Sequence, residues 1–401
     1  MRSRTKQGLL SPTNSHVSIA LLLLFLMGLG LGAPTIQAQT RAYVTNSEDN
    51  TVSVIDTATN TVVATVPVGV NPYGIAITPD GTRAYTANGF TGADNTVSVI
   101  DTASNTVVAT VTVTNGPSWV AITPDGTRAY VTDFQSDFVS VIDTASNTVV
   151  ATISVGVGTE PFRVAITPDG TRAYVTDFGF GSVSVIDTAT NIVNELIPVI
   201  GGPIGVAISP DGTRAYVASS GSAFAVSVID VATNSVATFG VAGGPIGLAI
   251  TPDGTRAYVT SRFSDAVSVI ETATNTVVAT IPVGASLDLA ITPDGTRAYV
   301  TNELSNTVSV VDTATNSVVA TIPVGVGPAG VAITPAPQAP KSKEDCKHGG
   351  YRKFGPPAGP FKNQGQCIRY VESHRHHEEQ ECSRKHFSIS GDSRCDRDGD
   401  D

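Results

Sequence analysis

Residues 41–82 read RAYVTNSEDNTVSVIDTATNTVVATVPVGVNPYGIAITPDGT, and the next block opens at once with the same R-A-Y from Arg83. The motif's tyrosines are Tyr43, Tyr85, Tyr130, Tyr174, Tyr216, Tyr258 and Tyr299, spaced 42, 45, 44, 42, 42 and 41 residues apart. A spacing this even marks one supersecondary unit copied seven times, with its length changing only in loops. Inside the unit, four short runs rich in Val, Ile, Thr and Tyr are separated by P-D-G and D-T-A-T-N clusters, a strand-and-turn pattern that leaves no room for a helix. At Thr78–Gly81 proline presets φ and glycine supplies a left-handed position, which makes a tight hairpin turn. The strands carry small or branched residues on both faces, so each sheet is expected to be covered on both sides.

The ends of the repeat region indicate how the units join. The first strand is RAYVT from Arg41, and the last, Val331–Pro335, is of the type that precedes RAYVT in every other unit. Counterparts of that strand lie at Ile75, Val120, Val164, Val206, Leu248 and Leu289, so the first and last segments complete one blade together. The expectation is an all-β, seven-bladed β-propeller of four-stranded antiparallel blades over residues 39–335, closed by its terminal strands. A linear β-solenoid would not need such permuted ends.

These segments, TRAYVTN, NTVSVIDTATNTVVATIPVG and GIAITPDG, resemble the YVTN family of β-propeller repeats, found in surface-layer and other exported proteins. The resemblance spans residues 40–335 and implies the same fold and a location outside the cell. It implies no shared chemistry, since propellers host binding proteins and enzymes alike. Arg2, Arg4 and Lys6 ahead of the apolar run Val17–Leu31 have the layout of a signal peptide over residues 1–38, with a retained anchor as the alternative.

Residues 39–335 hold 24 Asp and Glu against nine Arg and no Lys, a balance that speaks against a nucleic-acid partner. The same span has no His, Cys or Met, so the usual general base, thiol nucleophile and soft metal ligands are missing, and no cofactor or metal is expected. Neither a calcium loop nor a G-x-S-x-G elbow is present. Asp80, Asp125, Asp169, Asp211, Asp253 and Asp294 recur at one turn, which points to geometry rather than catalysis.

Strand direction puts the P-D-G and D-T-A-T-N turns on one face and the loops after RAYVT and PVG on the other. The first face hardly changes between repeats. The second diverges at Ser47–Asp49, Phe90–Asp94, Phe134–Phe138, Phe178–Phe180, Phe224, Arg262–Phe263 and Glu303–Leu304. At the start of the innermost strand the aligned residue is Gly74, Gly205, Gly247 or Gly330 in four blades but Trp119, Arg163 or Asp288 in three. With Tyr73 and Phe162 these form a candidate ligand site at the channel rim; the competing reading is that Arg163 and Asp288 neutralise each other and Trp119 plugs a gap.

After the linker at 336–345, residues 346–401 form a small tail module with all four cysteines. Its first two-cysteine stretch resembles a short tail motif of exported bacterial proteins. In an exported chain Cys346, Cys367, Cys382 and Cys395 are expected as disulfides, of which Cys346 with Cys367 and Cys382 with Cys395 is one of three pairings. His374, His376, His377 and His386 lack a metal-site spacing. The function expected is a non-catalytic binding or surface-structural scaffold for an extracellular protein or cell-surface glycan, with self-assembly as a further role. The alternative is a lactonase-like or glycan-acting hydrolase using carboxylates on the variable face.

Overall fold

The computed structural model describes residues 40–336 apart from Ala93 and Ser222, together with Ile368. The signal segment at 1–38 and, save Ile368, the tail with its four cysteines lie outside the described residues. Residues 39–339 form one compact unit.

Twenty-eight strands pair into seven four-stranded sheets. In one blade, Pro72–Ile77 is innermost, followed outward by Arg83–Asn88, Thr96–Asp101 and Thr106–Thr112, each antiparallel to the last. The expected closure is present: Pro328–Ile333 pairs with Arg41–Asn46, with Tyr43 opposite Ala332. The sheet then continues to Thr51–Asp56 and Thr61–Pro67, which gives this blade the same four-strand order as the other six. Among the described residues of the ring the one helical turn is Glu303–Ser305. Among the described residues no helix is long and apolar enough to cross a membrane.

The second and third strands of each blade are buried along nearly their whole length, as two-sided coverage requires. Each core lies between adjacent blades. Tyr85, Val97 and Val99 of one, for example, pack on Val120, Ala129, Val131 and Ile142 of the next.

The invariant turns fasten these blades. The Tyr43 hydroxyl donates to Asn105 Oδ1 at 2.9 Å in the next blade, and Arg41 Nη1 donates to the Thr102 carbonyl at 3.2 Å in the same turn. Asn105 holds φ +54°, the left-handed conformation that asparagine tolerates, and the same position recurs as Asn60, Asn147, Asn191, Asn234, Asn275 and Asn316. Tyr299 donates to Asn60 Oδ1 at 2.7 Å, which carries the staple across the chain ends and closes the ring. In the P-D-G turns, Asp125 Oδ1 accepts from Thr123 Oγ1 at 2.5 Å and from the Thr127 amide at 2.9 Å. These bonds favour the charged form and hold the Asp125 carboxyl below its usual range.

Candidate functional site at the channel mouth

The innermost strands run so close together that most blades admit no side chain at their third position. A Cβ on Gly205 would lie 2.1 Å from the Ile246 carbonyl oxygen, and one on Gly330 would lie 2.4 Å from that of Tyr73. Threonines of the second strands tie this layer together. Thr132 Oγ1 accepts from the Trp119 amide at 3.1 Å and donates to the Phe162 carbonyl of the next blade at 2.8 Å. Thr176 links Arg163 to Ile204 in the same way, and Thr301 links Asp288 to Ala329. Sequence reasoning treated these threonines as ordinary strand residues; their recurrence as the T of RAYVT was the available signal.

Trp119, Arg163 and Asp288 meet in the channel. Arg163 Nη1 donates to Asp288 Oδ1 at 2.6 Å, between blades on opposite sides of the ring, and the two residues are only 4% and 2% exposed. The Arg163 guanidinium carbon sits 3.7 Å from the centroid of the Trp119 ring, a cation–π contact. Asp288 Oδ2 accepts the Val331 amide at 3.0 Å, and Arg163 Nη2 donates to the Leu287 carbonyl at 3.4 Å. The pair is therefore a plug whose charges are engaged with each other, as the competing sequence reading anticipated. Its partners must stay together, because one buried charge left alone is costly.

An aromatic layer packs with this plug. Tyr73 stacks on Phe90 at 4.5 Å between centroids and meets Trp119 edge-on at 6.3 Å. Phe162 touches Tyr73, Phe90, Phe134 and Phe178 at 6.1, 5.4, 5.5 and 6.4 Å. Ile204, Ile246, Leu287 and Ala329 complete the cluster. Burial pushes the Tyr73 hydroxyl up to about 12, with Arg163 opposing the shift, so Tyr73 stays neutral over the working pH range. All five rim residues expected from sequence are thus brought together, with Phe90, Phe134 and Phe178 joining them from the variable loops.

Four phenyl rings, Phe178 of this layer among them, reach solvent. Phe178, Phe180, Phe224 and Phe263 are 37%, 63%, 40% and 70% exposed, and Phe224 lies 6.1 Å from Phe263. Loop glycines make room for them. A Cβ on Gly202 would lie 2.8 Å from the Phe178 ring, and one on Gly244 would lie 2.5 Å from the Phe263 ring.

Two buried carboxyls lie at the ends of second strands on this side. Asp133 Oδ2 accepts from Ser140 Oγ at 2.6 Å, and Asp177 Oδ2 accepts from Ser184 Oγ at 2.8 Å. In each, Oδ1 is buried without a partner among the described residues. Desolvation outweighs the hydroxyl bonds and raises both carboxyls to about 7. Three other blades carry neutral Asn46, Asn88 and Asn302 at this position.

The opposite face offers a groove of about 570 Å³ lined by Asp253, Arg256, Tyr258, Asp294 and Thr313 among others. Those side chains are already engaged in turns and staples: Arg256 and Tyr258 both donate to the Thr313 carbonyl, and Asp253 holds Thr251. The groove is a by-product of blade packing. Among the described residues no group of three or more His, Cys, Asp or Glu side chains is placed to hold a metal ion.

Fold and site together define a closed seven-bladed β-propeller whose channel is plugged beneath its variable face. No protein-family model matches the chain, and no curated protein matches it. Among solved structures it is similar to hydrazine synthase of Kuenenia stuttgartiensis, at 27% identity and a TM-score of 0.63, over 68% of this chain and 92% of that one. A functionally unknown protein from Desulfotomaculum acetoxidans shares the fold at 18% identity and a TM-score of 0.65, over 74% of this chain and 99% of the other. The dihydro-heme d1 dehydrogenase NirN, in complex with DHE, shares it at 19% identity and a TM-score of 0.55. That match covers 70% of this chain and 63% of NirN.

Proposed function

We propose that this chain is an exported or cell-surface scaffold that binds a partner through the variable face of its propeller, without catalysis. One observation carries the reading: every exposed phenylalanine among the described residues lies on the face where the repeats diverge, beside the plugged channel mouth. Apolar side chains exposed together on a soluble ring mark an interaction surface. Trp119, Tyr73 and Phe162, braced by Arg163 and Asp288, form its floor. Phenyl rings beside exposed Val157, Ile200 and Leu304 offer few of the hydrogen bonds that sugars need, which favours an extracellular protein over a cell-surface glycan.

Hydrolysis is less well supported, because carboxylates of this face are taken up by loop backbone. Asp94 accepts the Val70 amide at 3.0 Å, Asp137 that of Gly158 at 2.7 Å, and Asp49 that of Val326 at 2.6 Å. The excess of acidic groups also disfavours nucleic acid. The reading is tested by probing the purified chain on arrays of cell-surface proteins and wall glycans, beside a Phe180→Ala, Phe263→Ala variant. Binding that the variant loses while its melting temperature holds supports the proposal. No binding on either array, or binding that the variant keeps, overturns it. Amino-terminal sequencing of the exported chain, with a start at Gln39, tests the location.

A further inference from the structure

The rim of the ring carries more exposed apolar side chains than its faces do. Among the described residues, 13 of the 22 exposed large hydrophobics lie on outermost strands, for example Val63 at 51%, Val150 at 55% and Val319 at 53%. Each of these strands ends its sheet, so one edge of its backbone pairs with no other strand of the ring.

Five of the seven edges share nearly one sequence: Thr61–Thr65, Thr106–Thr110, Thr148–Thr152 and Thr276–Thr280 read TVVAT, and Ser317–Thr321 reads SVVAT. The sequence is close to a palindrome. Laid antiparallel on a second copy, it sets Thr opposite Thr, Val opposite Val, and Val opposite Ala, which are pairs that stabilise neighbouring strands. It is also free of charge, in a propeller where acids outnumber arginines by 24 to nine. Lysines and inward charges, two devices that blunt an edge, are absent from these five strands, while a bulge is present in each and three of them end in proline. The other two edges differ: Ile192–Pro198 carries Glu195, and Val236–Gly240 is shorter.

We propose that these five edges dock a second copy of this chain, and so associate rings side by side. A bulge at Val63, where the register shifts between Val54 and Ile55, shortens the stretch able to pair, so valine packing carries much of the contact. One such edge is small beside the roughly 1,000 Å² of a stable interface, so a single contact is weak. Several like edges on one ring make the association open-ended and dependent on concentration. The acidic charge of the ring opposes it at low ionic strength, and salt relieves that opposition.

The test is sedimentation velocity on the full chain over a hundredfold range of concentration, at low and high salt, with and without reductant. A variant carries Val63→Lys, Val108→Lys, Val150→Lys, Val278→Lys and Val319→Lys. Added lysines lower the overall negative charge, so general repulsion falls in this variant while the edges become unable to pair. The wild type is expected to show a sedimentation coefficient that rises with concentration, more steeply at high salt, and the variant is expected to stay a single slow species. A second variant with threonine at the same five sites keeps strand propensity, and it should lose most of the association if the lysine protein does not fold. A wild type that sediments as one species throughout overturns the proposal. Association kept by the folded variants, as a tail-mediated contact would give, overturns it as well.

Discussion

The two faces of this ring are built from the same repeat and use it in opposite ways. On the P-D-G face most invariant side chains have a partner in the next blade or in their own turn: Tyr130 with Asn191, Arg128 with Thr188, Asp125 with Thr123. On the other face the loops diverge, phenyl rings reach solvent, and only the layer beneath them is tightly joined. Repetition therefore marks what holds the ring together, and divergence marks the surface left free to change. That inverts a common way of reading sequence, in which the invariant motif is taken for the site.

The largest effect is expected at the plug. Arg163→Met leaves Asp288 buried without its cation and should cost about 3–5 kcal/mol in chemical denaturation. Adding Asp288→Asn, which keeps an acceptor for the Val331 amide, should recover most of that loss. A double variant no more stable than the single one would show that the mouth does not depend on this pair. Next come the two raised carboxyls. Asp133 and Asp177 sit near 7, above the ordinary value of about 3.9, so the folded state binds more protons than the unfolded state across that window. Stability should fall as pH climbs from about 4 to about 7, by at most about 4 kcal/mol per group. Asp133→Asn with Asp177→Asn should leave melting unchanged at pH 4 and raise it at pH 8, and a pH-independent effect would contradict the assignment.

The smallest contrast lies within the staples. Tyr130→Phe removes a hydroxyl bonded to Asn191 at 2.8 Å and should cost about 1 kcal/mol. Tyr174→Phe should cost nothing, because its hydroxyl and Asn234 Oδ1 are both buried without partners among the described residues. No loss at either position would mean that the tyrosines act through ring packing alone, and equal losses would contradict the contrast between them.

Blade count, strand order and terminal closure were all legible in the tyrosine spacing and the permuted ends, because short-range turn chemistry and period-2 patterning fix them locally. So was the convergence of Trp119, Arg163, Asp288, Tyr73 and Phe162 on one rim, since aligned positions of a ring must share a height. Less legible was how deeply Arg163 and Asp288 are buried, which depends on side chains meeting across the channel from blades 125 residues apart. Phe90 and Phe134 were noted only as loop variation, and their place in the aromatic layer follows from loop conformations with no repeat to calibrate them. The raised carboxyls of Asp133 and Asp177 were missed because a strand-end Asp among Asn counterparts looks like a neutral exchange until its burial is known.

The central claim is a division of labour between the faces, and one paired measurement tests it most directly: melting temperature and array binding for a variant on each face. Phe180→Ala with Phe263→Ala should melt with the wild type and lose binding. Asn191→Ala with Asn275→Ala should melt several degrees lower and, below its transition, bind as the wild type does. Undiminished binding by the phenylalanine variant, or lost binding by the folded asparagine variant, would contradict the account.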